Sequence, residues 1–285
     1  MSMPPLPEQS AITPAEVVIT NDYTEGAVVD AEGNIYFSHG TRITRVTPAG
    51  DVSDWCETGA PNGHKILPNG EHLVCDGSRH AVVRLDADGN ILGNAAVGRS
   101  GDLDIRTPND LSLDPEGGFY FTDSVPATGA VHYVASDGHM QVVARDIDFA
   151  NGVALSADRQ RLYVAESLQN RILVIELRQP GVPNGKPRVF ADLPRNQEHP
   201  GGEFNQPDGI AFDLYGRLWV AHYGMQALHV LGLDGELLAT YDGGNRLTSN
   251  LCFAGVEFSQ IYATGGEPGG LYRLDSGVAG LRLLP

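Results

Sequence analysis

The sequence predicts an all-β fold, a six-bladed β-propeller with four-stranded blades. Three observations carry that expectation. One pattern recurs six times along the 285 residues: a polar residue, a short apolar run, a turn rich in Asp, Gly and Asn, and a second apolar run. The six copies start 37, 47, 42, 57 and 42 residues apart, and about 40–50 residues is the length of a four-stranded propeller unit. No stretch has the periodicity of a long amphipathic helix, while 35 Gly and 18 Pro are spread along the chain, as many short strands joined by turns require. A β-sandwich, the rival architecture, needs no sixfold recurrence.

In chain order, residues 1–15 read as a loose N-terminal arm, without the basic and apolar segments of a secretory leader. Residues 16–285 read as one propeller domain. The first copy is EGAVVDAEGNIYFSHG from Glu25, and the second is NGHKILPNGEHLVCDG from Asn62. NDLSLDPEGGFYFTDS follows from Asn109 and NGVALSADRQRLYVAES from Asn151. DGIAFDLYGRLWVAHYG starts at Asp208, and NLCFAGVEFSQIYATGG at Asn250. Each reads as a hairpin of two strands around a tight turn. A further pair of strands follows, clearest in HAVVRLDADGNI, NRILVIEL and ALHVLGLDGELLATY. The DADGN at Asp86 imitates the start of an EF-hand loop but lacks its closing Glu. It lies between two apolar strands and reads as a hairpin turn.

Hydrophobic residues make up 41% of the chain, enough for a sizeable core, and the net charge is −17. That charge excludes nucleic acid and anionic membrane as partners, since phosphate binding needs clustered Lys and Arg. No apolar run approaches membrane-spanning length. The three cysteines, Cys56, Cys75 and Cys252, are odd in number and widely spaced, so they read as free thiols in a reducing compartment. The expectation is a cytoplasmic protein, monomeric or homodimeric.

If the first strand of each hairpin is the innermost of its blade, the starters Glu25, Asn62, Asn109, Asn151, Asp208 and Asn250 ring one end of the central channel. Singly, each reads as a turn former; Pro207-Asp208-Gly209 has the composition of a tight turn, Asp accepting from the backbone and Gly supplying positive φ. Together they are two carboxylates and four amides without Lys or Arg. Converging oxygens of this kind suit a hard divalent cation, Ca²⁺ above all, with Mg²⁺, Mn²⁺ and Zn²⁺ as alternatives. His64 is the nearby imidazole on an inner strand. The second strand of each hairpin returns to the same rim, and its end brings Asp123, Glu166 and His222 there, either to touch a polar ligand or to cap the strand ends. Arg106 reads as an anchor for a hydroxylated or anionic substrate, or as a solvated charge.

These residues resemble the senescence marker protein/gluconolactonase/luciferin-regenerating enzyme family. The segments that carry the resemblance are EGAVVD, TPNDLSLDPEGGFYFTD, FANGVALSADRQRLYVAES, QPDGIAFDLYGRLWVAHYG and GGLYRLD, from about Glu25 to Asp275. The resemblance implies a six-bladed propeller with a divalent metal on Glu25, Asn151 and Asp208. It places Asn109 at the metal or the substrate, makes Asp208 the general base, and puts Asp110 behind the ligands. The chain departs from the family pattern at His64 and Lys65, and in the sixth repeat, which lacks the Gly after its starter.

The function that follows is metal-dependent opening of a sugar lactone, a small-molecule substrate, by activated water. Two other readings stay open. A hydrolase of organophosphates or aryl esters keeps the same metal and is separated by a substrate panel. A non-enzymatic propeller that binds at its rim needs no acid in the ring. Other chemistries lack their signatures: GRSGD at Gly98 is not a nucleophile elbow, and the chain has neither a phosphate-binding Gly-rich loop nor His-Glu-x-x-His.

Overall fold

Each repeat folds into an antiparallel meander, and six meanders pack around an axis as a six-bladed β-propeller. The structure is a computed structural model that describes residues 4–284; the first three residues of the N-terminal arm lie outside it. The inner strands are Thr24–Val29, Pro61–Ile66, Pro108–Leu113, Ala150–Leu155, Gln206–Phe212 and Leu247–Ala254. Each lies beside the next around the ring. The fourth blade carries a short extra pairing, Val182–Pro183, beside its outer strand Arg188–Asp192. The Asp86 segment is a turn, its carboxylate accepting from the backbone N–H groups of Asp88 and Asn90.

The sixth blade is completed from the other end of the chain. Ala15–Thr20 pairs with Gly269–Leu274, so the N-terminal strand closes the ring. Upstream of it, the Pro4 carbonyl accepts from buried Arg217 and the Pro7 carbonyl from the Tyr241 hydroxyl, while Ile12 is buried in the adjoining core. Arg217 is held by Asp213 at 2.6 Å. Among the described residues no helix is long and apolar enough to cross a membrane.

Alternation along each strand sends side chains to the two neighbouring blades, and the core divides accordingly. Among the described residues there are six buried clusters, one for each pair of adjacent blades. Between blades five and six, Trp219, Leu228 and Val230 meet Leu251, Phe253 and Ile261. Burying one such side chain stabilises by roughly 1.5–3 kcal/mol. Cys56, Cys75 and Cys252 are free, the first two buried among these faces.

Imidazoles also occupy these faces. His64 Nε2 meets His72 Nδ1 at 2.7 Å, and His229 Nε2 meets His222 Nδ1 at 2.9 Å. His132 stacks on Phe121, and neither of its ring nitrogens has a protein partner among the described residues. Burial pushes His72, His132 and His229 down to about 4, and holds His64 and His222 well below the ordinary imidazole range. An unfolded chain protonates its histidines near pH 6.5. Stability from the neutral buried form is therefore complete above that pH and is lost as pH falls towards 4. We expect His132→Phe to gain melting temperature over the wild type as pH is lowered from 7 to 4.5, measured by thermal denaturation at each pH; a constant difference would refute the linkage.

Candidate functional site

All six starters fall at a β-bulge. The ladder between the inner strand and its neighbour slips at the same place in every blade: Glu25/Val28, Pro61/His64, Pro108/Leu111, Ala150/Val153, Pro207/Ile210 and Thr248/Leu251. A bulge bends the strand and re-aims its side chains. The Asn-Gly and Asp-Gly pairs therefore do not open hairpins, as turn chemistry led us to expect. Asp208 and Gly209 lie inside the strand Gln206–Phe212. Gly152 is there because a Cβ would stand 2.1 Å from the Asp208 carbonyl oxygen of the next blade.

Within the ring, Glu25, Asn109, Asn151, Asp208 and Asn250 are all buried. The Tyr23 hydroxyl lies 3.1 Å from Glu25 Oε1 and 3.3 Å from Asp208 Oδ2, tying the two carboxylates to one donor. Asn250 Nδ2 donates to Glu25 Oε2 at 3.4 Å. Asn151 Nδ2 donates to Ser167 Oγ at 3.1 Å, which leaves its carbonyl oxygen buried and without a partner among the described residues. Asp110 accepts from the backbone N–H of Leu111 and, across the blade interface, of Val153. Burial raises Asp208 well above the usual carboxylate range, with Glu25 and Asp110 adding to it. Burial likewise raises Glu25, with Asp110 next, and raises Asp110, which Lys65 partly draws back.

A cavity of about 580 Å³ opens beside the ring, with Asp22, Tyr23, Glu25, His39, Asn62 and Thr107 among its walls and no Lys or Arg. Asn109, Asn151 and Asp208 are not among those walls. The remaining expected substrate contacts are engaged elsewhere. His64 is fully buried between blades one and two, bonded to His72 and stacked on Trp55. His222 is turned to His229. Asp123 accepts from the backbone N–H groups of Arg106 and Thr107, and Glu166 from that of Asp148, so each fixes the loop that leads into its inner strand. Glu166 is also paired with Arg171 at 2.6 Å. The Arg106 guanidinium donates to Thr128 on the surface. Alternation puts these side chains on blade faces or loops, apart from the bulge residues of the ring.

Tyr23 was absent from the expected set. Its one sequence signal is an aromatic residue two positions before Glu25, which reads as strand packing. Asn62, the second-blade starter, lines the cavity, and its Oδ1 has no partner among the described residues.

The donors fit a hard cation. Two buried carboxylates without a cationic partner and an unpartnered amide oxygen are an oxygen-only set with a net negative charge. Among the described residues no group of three or more His, Cys, Asp or Glu is arranged around a common metal position, so a cation here would draw on the amides as well.

The SMP-30/Gluconolactonase/LRE-like region family model matches residues 23–267. A gluconolactonase of Zymomonas mobilis is 27% identical over 281 residues, covering 85% of this chain and 76% of that protein. Lactonase drp35 of Staphylococcus saprophyticus is 31% identical over 252 residues, covering 79% of this chain and 72% of that protein. Among solved structures, a calcium-binding protein, regucalcin, of Agrobacterium tumefaciens shares the fold, with a TM-score of 0.80 and 20% identity over 95% of each chain. With its blades, its bulged inner strands and a family match that spans nearly all of them, this chain belongs to the SMP-30/gluconolactonase/LRE-like family.

Proposed function

We propose that the protein is a metal-dependent lactonase that hydrolyses a neutral sugar lactone. The observation that carries this reading is the buried pair Glu25 and Asp208, joined through Tyr23, with the unpartnered Asn151 oxygen also in the ring and Glu25 in the wall of the adjoining cavity. Relatives named gluconolactonase and lactonase support it. Glu25, Asn151 and Asp208 would hold the cation, with Asn109 beside them. The oxygen-only donor set favours Ca²⁺, in keeping with the neighbour named as calcium-binding. When bound, a divalent cation supplies Lewis-acid polarisation of the lactone carbonyl.

The chain's own groups do the rest. Asp208 accepts a proton from the attacking water as the water oxygen bonds to the carbonyl carbon. The ring C–O bond then breaks, and that proton passes to the leaving ring oxygen, giving a hydroxy acid. Ser38, Asn62 and Thr107, in the cavity wall, orient the sugar hydroxyls. Asp110 anchors the third blade to the fourth behind the ring. The acidic wall admits a neutral lactone and repels the carboxylate product, which favours release. Free thiols, two of them buried, support a reducing compartment, and we place the protein in the cytoplasm.

Asp208→Asn is expected to lower kcat on glucono-lactone by at least about 100-fold. Chelation should abolish activity in the wild type, with recovery on adding back calcium. Activity that survives both treatments rules out the mechanism. A lactone carrying a phosphate is expected to be hydrolysed at least about tenfold less efficiently in kcat/KM than its neutral parent at low salt, the gap narrowing as ionic strength rises. Equal efficiencies would show that the acidic wall does not select substrate.

A further inference from the structure

One side chain touches both carboxylates and has no part in the chemistry above. Tyr23 as a residue is 38% exposed and lines the cavity, while its hydroxyl reaches in to Glu25 and Asp208. A phenol has one proton, and here it faces two acceptors at 3.1 and 3.3 Å. It cannot donate fully to both. No Lys, Arg or His forms an ion pair with either acid among the described residues. The backbone at this point is fixed: Thr24 Oγ1 donates to the Gly270 carbonyl at 2.6 Å and accepts from the backbone N–H of Gly265 at 2.9 Å. The ring stands edge-on to Tyr223, with centroids 6.0 Å apart. With that backbone in place, the way open to the hydroxyl is a turn of the side chain towards the cavity that Tyr23 lines.

We propose that Tyr23 is a positioning residue that stands in for the cation, its hydroxyl holding Glu25 and Asp208 together when no cation is bound and leaving them when one arrives. This rests on the metal-dependent reading above. Without the phenol, two buried carboxylates face each other with one donor fewer, which costs the cation-free protein and not the loaded one. The cost of binding a cation in the wild type includes breaking that tie. Removing it strengthens binding, in contrast to the loss expected of a ligand.

The test compares wild type with Tyr23→Phe as full-length proteins, stripped with chelator. Calcium, manganese and zinc are each titrated alone by calorimetry, and melting temperatures are measured in EDTA and in saturating calcium. The expected result is a calcium Kd roughly tenfold tighter in Tyr23→Phe. Its melting temperature should fall by several degrees in EDTA and match the wild type in calcium. Calcium should also perturb the near-ultraviolet tyrosine spectrum more in the wild type than in the variant. An unchanged or weaker Kd in a wild type that binds calcium overturns this proposal and leaves the metal reading intact. So does an equal loss of melting temperature in both conditions, which marks a purely structural tyrosine. If neither protein binds calcium, manganese or zinc, the metal reading fails and takes this proposal with it.

Discussion

Everything at the centre of this protein depends on how closely six inner strands approach one another. At Gly26 an added Cβ would stand 2.0 Å from the Asn62 carbonyl oxygen, and at Gly152 the corresponding contact is with Asp208. Backbones packed this tightly leave no room for an ordinary side chain between neighbours. The polar residue before each glycine has one direction left to point, which is inward. Closure of the ring by Ala15–Thr20 on the last blade then fixes the distances across it. A carboxylate from the first blade and one from the fifth, far apart in the chain, come to share one phenol.

That arrangement works against stability. Buried like charges raise each other's proton affinity and cost free energy unless something neutralises them. The fold supports them with rigid surroundings. Interblade clusters of Trp, Phe, Leu and Val lie around the ring, and Asp110 and Ser167 bond across blade interfaces next to it. A group of side chains held by packing on all sides keeps its geometry. The acids outside the ring do different work. Asp76, Asp123 and Glu166 each accept backbone N–H groups from the loop that feeds their own inner strand. The same residue types serve as scaffold at the strand ends and as a charged centre at the bulges.

Much of this was legible in the sequence because a propeller writes its period into the chain. Six copies of one pattern gave the blades, and the starters Glu25, Asn109, Asn151 and Asp208 named the ring. What the pattern hid was the local backbone. Pro207-Asp208-Gly209 has the composition of a turn, yet it lies in a strand at a bulge. A glycine in a strand signals a bulge or a close approach, and choosing between turn and bulge needs the neighbouring blade. His64 misled for a related reason: strand alternation turns it to Trp55 and His72 between blades. Arg106 belongs to a loop whose course local sequence does not specify.

By itself the sequence determined the number of blades, the polar ring, its two carboxylates and the acidic charge that repels anions. These follow from residue type and spacing, which are properties of the chain alone. Tertiary structure decided which strand closes the last blade, that the Asp123 and Glu166 side chains hold loops, and that Tyr23 spans Glu25 and Asp208. Each of these is a contact between residues distant in the chain or in different blades, and no local pattern encodes a distance across a closed ring.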